Sequence, residues 1–304
     1  LLFRNLNLPE PEYNLGIGSG SHAQQTGRML GAIEEVLNRA APALLLVYGD
    51  TNSTLAGALA ASKLGIPVGH VEAGLRSFDR RMPEEINRIV ADHLATYHFC
   101  PTVKAVELLK AEGIEGLLTG DVMVDALQTF SQIASTCPCP APFVLATIHR
   151  AENTDDPGRF QAIWEAFKAI AREIPVYFPI HPRTRSRYRA IIEEASHPVT
   201  VAPPAGYLDM LALIKGAEAV ITDSGGVQKE AFLLRTPCLT VRGTTEWPET
   251  VEAGWNRLVE ADSQAIYSAC RDTRTQARPA SSPQPFGDGA AAERIARFIK
   301  DVLP

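Results

Sequence analysis

Short apolar runs alternate with helical stretches along almost the whole of this chain, and few architectures accept that rhythm. Residues 43–48 (ALLLVY) read as a buried strand and residues 51–64 as an Ala-rich helix. Residues 67–71 are the next strand and 83–96 the next helix; a strand at 97–100, a helix from Thr102 and a strand at 117–119 follow. Apolar runs of roughly four to eight residues, punctuated by Gly and Pro and separated by helices, are the mark of parallel βαβ units. Residues 131–142 (SQIASTCPCPAP) interrupt the pattern with Pro and small residues, as a linker does. A second series then begins, with strands at 143–148, 176–180, 199–201, 219–222 and 237–241, a helix at 157–173, and helices between the later strands. The expected fold is α/β, with two Rossmann-like doubly wound domains facing a cleft.

A length of 304 residues exceeds what one hydrophobic core usually serves. The expected boundaries are 1–138 for an N-terminal domain, incomplete at its start, and 139–304 for a C-terminal nucleotide-binding domain. The last helix, at 288–303, has an apolar face through Ile295, Phe298, Ile299 and Val302 and is a candidate to pack back on the N-terminal domain. Hydrophobic residues at 45% and charged residues at 21% describe an ordinary globular protein. No apolar run approaches the roughly 20 residues that span a bilayer, and Leu1-Leu2-Phe3-Arg4 is no signal peptide, so a cytoplasmic location and no membrane partner are expected. The net charge of -6 argues against nucleic acid but leaves room for a small anionic ligand held by local Arg residues and helix N-termini. Five scattered Cys residues read as reduced thiols; Cys137-Pro-Cys139 lacks a second pair, so no metal is expected.

Two facing doubly wound domains bind ligands outside the carboxyl ends of their strands. Four such ends carry unusual polar loads. In Tyr48-Gly49-Asp50-Thr51, Gly49 permits close backbone approach and Asp50 projects from the strand end, either as a catalytic group or as a helix cap. In Gly69-His70-Val71-Glu72-Ala73-Gly74, a Glu closing an apolar strand is hard to explain by packing, although a salt bridge to Arg76 or Arg88 is the plain alternative. His70, on the other strand face, reads as a satisfied core histidine. In Pro83-Glu84-Glu85-Ile86-Asn87-Arg88, Glu84 and Arg88 are spaced to share a helix face, as a site or as an ordinary ion pair. At the fourth end, Ile148-His149-Arg150-Ala151-Glu152-Asn153, the cationic pair His149 and Arg150 would face the carboxylates of the first domain.

A phosphate site is expected at residues 221–230, where strand, Gly-rich turn and helix follow one another. Free N–H groups at Gly225 and Gly226 and the Ser224 hydroxyl suit an anion, and Glu230 could accept from a ribose diol. His181 and Arg183 follow another strand and are further contacts for substrate or effector. Residues 17–21 (IGSGS) lack the GxGxxG spacing after a strand and read as a flexible lead into a helix from about Thr26. A nicotinamide is therefore unsupported, and no cofactor is expected.

The ordered set GDTNST, GHVEAGLRS, PEEINR, TIHRAEN, HPRTR and TDSGGVQKEA resembles the non-hydrolysing UDP-N-acetylglucosamine 2-epimerase family across nearly the whole chain. The resemblance implies two Rossmann-like domains of the glycosyltransferase-B type, a homodimer, and a UDP-sugar substrate exchanged between gluco and manno forms. It implies Asp50, Glu72 and Glu84 as catalytic carboxylates, His149 and Arg88 assisting at the diphosphate or the sugar, and Ser224 and Glu230 binding UDP. Asn87, His181, Arg183, Gly225 and Gly226 complete the expected binding set. The family opens with a strand and a Gly-x-Arg-Pro loop that this chain lacks, so several dozen residues of the family's N-terminus are expected to be missing. Some phrases resemble relatives acting on UDP-2,3-diacetamido uronic acids, whose sugar carboxylate would want another cation, with Arg76, Arg80, Arg81 or Arg183 as suppliers.

The hydrogen on carbon 2 is not adjacent to a carbonyl, so simple deprotonation is too costly. The resemblance implies elimination of UDP to a glycal and its return, with the proton delivered to the opposite face. That needs a base, an acid on the other face, and stabilisation of the departing diphosphate. A UDP-sugar-dependent glycosyltransferase and a UDP-sugar-binding regulatory protein are the alternatives.

Overall fold

Every strand pairing among the described residues is parallel, as buried apolar runs joined by helices require. The computed structural model describes residue 6 and residues 8–133, 136–193, 198–279 and 283–303. The Leu1–Arg4 opening and residues 134 and 135 of the expected linker lie outside them. The chain forms two units, Phe3–Gln128 with Gln284–Pro304, and Thr129–Pro283.

The first unit begins with α1 (His22–Ala40), β1 (Leu45–Tyr48), α2 (Asn52–Lys63), β2 (Val68–Val71) and α3 (Pro83–Leu94). β3 (Tyr97–Cys100), α4 (Val103–Ala111), β4 (Leu117–Leu118) and α5 (Val122–Phe130) follow, and the sheet order is β1-β2-β3-β4. The expected start of α1 near Thr26 is corrected: the helix begins at His22, because the Ser21 hydroxyl accepts from the Gln24 N–H and caps it. On one sheet face, Ala58, Ala60 and Ala61 of α2 lie against Val47 and Val68, with Leu37 and Ala91 closing the cluster. Small residues let α2 approach closely; a Cβ at Gly57 would lie 3.1 Å from Val47. On the other face Val71 and Phe99 meet Ile295 of the C-terminal helix (Ala291–Val302), flanked by Phe298 and Ile299.

The second unit runs β5 (Val144–Thr147), α6 (Ala151–Thr154), α7 (Pro157–Ala171), β6 (Val176–Pro179), α8 (Pro182–Arg187), α9 (Arg189–Ile192), β7 (Val199–Ala202) and α10 (Tyr207–Gly216). It continues through β8 (Ala219–Thr222), α11 (Gly225–Leu233), β9 (Cys238–Val241), α12 (Pro248–Glu252), β10 (Asn256–Val259) and α13 (Ser263–Thr275). The order β10-β9-β8-β5-β6-β7 starts the chain in the middle of the sheet and reverses direction between β5 and β8. One face packs Phe160, Ile163, Trp164 and Phe167 of α7 with Ile266 of α13 on the strands. The other packs Leu213 and Ile214 of α10 and Ala231 of α11 on Leu145 and Val220. Among the described residues no helix is long and apolar enough to cross a membrane, and no group of three His, Cys, Asp or Glu side chains could hold a metal ion.

Candidate functional site

In the first unit the polar residues gather at the carboxyl ends of β1 and β2. Gly49 leaves β1 at φ 62, a conformation that favours Gly, and turns the chain so that Asp50 follows the strand directly. The Asp50 turn is held from α3: the Asn87 amide donates to the Asp50 carbonyl at 2.9 Å, and the Arg88 guanidinium bonds the Asp50 carboxylate. Arg88 is buried and also donates to Glu85 Oε2 at 3.0 Å. Of the two acids that open α3, Glu85 is the one paired with the Arg88 guanidinium, while Glu84 stays half-buried in the first helical turn. Glu85 is a fastening group: its carboxylate also accepts from the Ser77 N–H and hydroxyl and from the Phe78 N–H.

Glu72 closes β2 at φ 73, where a residue with a side chain carries about 1–3 kcal/mol of strain. The Glu72 and Ala73 N–H groups both donate to the Phe99 carbonyl, at 3.1 and 3.2 Å, and hold that geometry. Its Oε2 lies 3.6 Å from where a Cβ on Gly49 would stand, so the carboxylate sits beside the Asp50 turn.

Beneath these turns runs a buried ionic chain. His70 Nδ1 is 2.7 Å from Asp92 Oδ1 and its Nε2 is 2.8 Å from the Gly49 carbonyl. Asp92 also accepts from Arg76 Nη1 at 2.6 Å and from the Gly74 N–H, and Arg76 forms a second, two-bonded pair with Glu112. Burial works against the charged forms of His70 and Asp92. Their mutual bond and charge outweigh it, raising the His70 pKa and lowering that of Asp92. Arg76, offered above as a cation for a sugar carboxylate, is corrected to a structural role, since it is buried and already paired with buried Asp92 and with Glu112.

The second unit presents its polar groups where the sheet reverses. Ligands in doubly wound sheets bind at that point, outside the strand ends, and β5 and β8 meet there in register, with Thr147 and Thr222 hydroxyls 2.6 Å apart. Asp223, completely buried, accepts from the N–H groups of His149 and Arg150 at 3.1 Å and from the Asn153 amide at 3.1 Å. The His149 Nδ1 lies 3.3 Å from Asp223 Oδ1. The His149 ring itself is half-exposed.

Ser224 caps α11 by accepting from the Val227 N–H. Gly225 follows, with the Glu246 carboxylate so near that a Cβ there would collide with it. Glu246 is held by Arg242 at 2.7 Å and by Arg150 at 3.5 Å, which ties the helix start to the His149 segment within one ionic cluster. Glu230, one turn into α11, is nearly buried; desolvation pushes its pKa up to about 7 against the pull of Lys229. His181 caps α8, its Nδ1 accepting from the Arg183 N–H, and Arg183 pairs with Asp155 at the surface. Asp223, Glu246, Arg242 and Asp92 were not anticipated from sequence. Asp223 alone carried a visible signal, the same one as Glu72: a charge placed directly after an apolar strand.

The sequence pattern of the UDP-N-acetylglucosamine 2-epimerase family matches residues 1–300. The UDP-2,3-diacetamido-2,3-dideoxy-D-glucuronate 2-epimerase of Pseudomonas aeruginosa is 47% identical, over 98% of this chain and 86% of that protein. The UDP-N-acetylglucosamine 2-epimerase of Methanocaldococcus jannaschii is 44% identical, over 98% of this chain and 86% of the relative. A crystal structure of the Methanocaldococcus jannaschii enzyme in complex with UDP-GlcNAc and UDP superposes with a TM-score of 0.93, covering 98% of this chain and 87% of that one. The Neisseria meningitidis enzyme bound to UDP-GlcNAc gives a TM-score of 0.89 at 29% identity, covering 98% and 87%. The match runs through both sheets and every strand end described above, and the chain belongs to the UDP-N-acetylglucosamine 2-epimerase family.

Proposed function

We propose that this protein inverts carbon 2 of a UDP-linked 2-acetamido sugar, interconverting UDP-N-acetylglucosamine and UDP-N-acetylmannosamine by loss and return of UDP. The observation that carries the reading is Glu72, a carboxylate kept in a strained backbone conformation beside the Asp50 turn at the ends of two adjacent strands. Strain of that kind persists where the surrounding structure enforces it, as functional sites do. Asp50, Glu72 and Glu84 serve the proton transfers. One carboxylate takes the proton from carbon 2 while the C1–O bond breaks and its electron pair leaves with UDP, giving a 2-acetamidoglycal. A second acid then delivers a proton to the opposite face of carbon 2 as a diphosphate oxygen rebonds to carbon 1. Arg88 orients the Asp50 carboxylate through their ion pair, and Asn87 holds its turn.

The nucleotide is bound by the second unit. The first N–H groups of α11, at Gly225 and Gly226, with the Ser224 hydroxyl, take the diphosphate, and Glu230 accepts from the ribose diol. His149, whose main-chain N–H is held by Asp223, contacts the departing diphosphate, while His181 and Arg183 are outlying contacts for the substrate. Incubation with UDP-N-acetylglucosamine in deuterium oxide tests the reaction. Deuterium at carbon 2 of both epimers, with no acceptor present, is expected; free sugar or transfer to an acceptor without that label would sink the proposal.

A second reading is favoured by the 47% identity to the Pseudomonas aeruginosa enzyme, whose substrate carries a diacetamido uronic acid. With Arg76 buried in its own ion pairs, the exposed Arg80, Arg81 and Arg183 are the candidate cations for such a sugar carboxylate, Arg81 and Arg183 each exchanging an Asp partner for it. Parallel turnover of both UDP-sugars decides between them, and a large preference for the uronate would replace the first reading. The protein is also proposed to be a cytoplasmic homodimer; a sedimentation mass near 32.9 kDa would exclude the dimer.

A further inference from the structure

His70 is completely buried, and both of its ring nitrogens face atoms that only accept. Nε2 faces the Gly49 carbonyl oxygen, which has no hydrogen to give. Nδ1 faces Asp92 Oδ1, and the Asp92 carboxylate already receives hydrogens from Arg76 and from the Gly74 N–H. A proton on Asp92 would set O–H against these donors, so the carboxylate is ionised and the imidazole must donate from both nitrogens. A ring that donates from both nitrogens is a cation.

We propose that His70 is a positioning residue for the reaction that works in its protonated form, clamping the Gly49 carbonyl so that the Asp50 and Glu72 turns stay together. The inference rests on the reading of Asp50 and Glu72 as the proton-transfer groups. The clamp acts from strand β2 on the turn that follows β1, a contact made by a side chain rather than by the ladder. Gly49 sits at φ 62 with its N–H on the Val71 carbonyl at 3.0 Å; the bond from His70 fixes the other end of the same residue. Asp50 begins at the next bond. The charged groups around the ring come from each neighbouring element. Asp92 lies on α3, Glu72 at the end of the same strand, and Arg76 and Glu112 lie beyond Asp92; His98, on β3, bonds the Asp92 carbonyl. Anions are its nearest charged neighbours, and the Glu72 charge also favours the protonated ring. Two short hydrogen bonds are lost in part when the ring loses its proton, so turnover should fall as pH rises through the His70 titration.

The test begins with the wild-type protein labelled with nitrogen-15 at histidine, the His70 ring being assigned through correlations from its ring to its own backbone. Both ring nitrogens of His70 should carry hydrogen at pH 8, well above the ordinary histidine range. The kcat of the same protein for UDP-N-acetylglucosamine should decline with the pKa read from that ring. A singly protonated ring at pH 8, or a kcat indifferent to its titration, would overturn the proposal. His70→Asn keeps a donor toward Asp92 and loses the one toward Gly49; His70→Gln does the reverse. The Asn variant should lose at least about tenfold in kcat with KM little changed, and the Gln variant should recover part of it. Equal activity in the Asn variant and wild type would also overturn the proposal. If neither variant folds, the wild-type ring state and pH profile still decide. Full turnover in Asp50→Asn and Glu72→Gln would fail the reading beneath the proposal and leave the ring's charge as measured.

Discussion

Glu72 and Glu230 are both acidic side chains on apolar elements, yet their environments assign them different work. Glu72→Gln keeps the size and the strained turn but removes the carboxylate, so turnover should fall by on the order of 10² to 10⁴, the usual effect of losing an acid or base. UDP affinity measured by calorimetry should stay the same, and near-normal turnover would remove Glu72 from the mechanism. Glu230 can be read through pH. Its pKa rises from an ordinary 4.5 to about 7 in the folded protein, because burial disfavours the carboxylate. For a group whose folded pKa is the higher one, stability is intact below about 4.5 and is lost as pH rises to about 7, by on the order of 3 kcal/mol. Glu230→Gln should flatten that decline in a denaturant series between pH 4.5 and 7; an unchanged slope would place the loss elsewhere. Glu72 was legible in the sequence because its charge closes an apolar strand, and Glu230 because it follows the strand, Gly-rich turn and helix start of a nucleotide site. Asp92 was not, since its partners His70 and Arg76 come from a different strand and turn, and only the fold brings them to it.

Elements were legible wherever burial writes a simple pattern. β1, β2, β5 and β8 are short, mostly apolar runs between helices, and they stand within a residue or two of the expected places. β10 was missed because Asn256-Arg257-Leu258-Val259 mixes a buried amide with an exposed cation at the sheet edge. The Asn256 side chain bonds Thr240 and Gln228 internally, a reason for polarity that no periodicity reveals. Residues 77 and 78 lie in the loop between β2 and α3, and Glu85 of α3 holds them through their N–H groups. The ionic chain beneath that loop makes a prediction at this scale. Asp92 joins β2, through His70, to the Gly74–Arg76 turn. Asp92→Asn leaves two buried cations without their shared anion, and losing one partner of a buried pair costs about 3–5 kcal/mol. Equilibrium unfolding should show that loss, and a change below about 1 kcal/mol would mean that water reaches the network.

At the scale of the molecule, chain order and spatial order disagree at the C-terminus. Residues 284–303 follow the whole second unit in sequence, yet they belong with the first. Amphipathicity announced that the last helix had an apolar face, but an apolar stripe does not say which sheet it will cover. The answer lies in Tyr97 and Phe99 of β3, whose rings meet Phe298 edge-on at centroid distances of 5.3 and 5.6 Å. Ile295 completes the cluster with Val71, the residue before Glu72. The helix therefore supports the sheet face beneath the strand end that presents Glu72. Phe298→Ala should remove this support alone. Truncating a core Phe costs about 3–5 kcal/mol, reduced here because Phe298 is only half-buried. The loss should be confined to the first unit, since the cluster draws nothing from the second. Hydrogen exchange followed residue by residue should show faster opening at β2 and β3 of the variant, with α11 and the strands around it protected as in wild type. UDP binding should persist while turnover weakens. Equal acceleration in both units would show that they unfold as one body, and that the helix stabilises more than the sheet it touches.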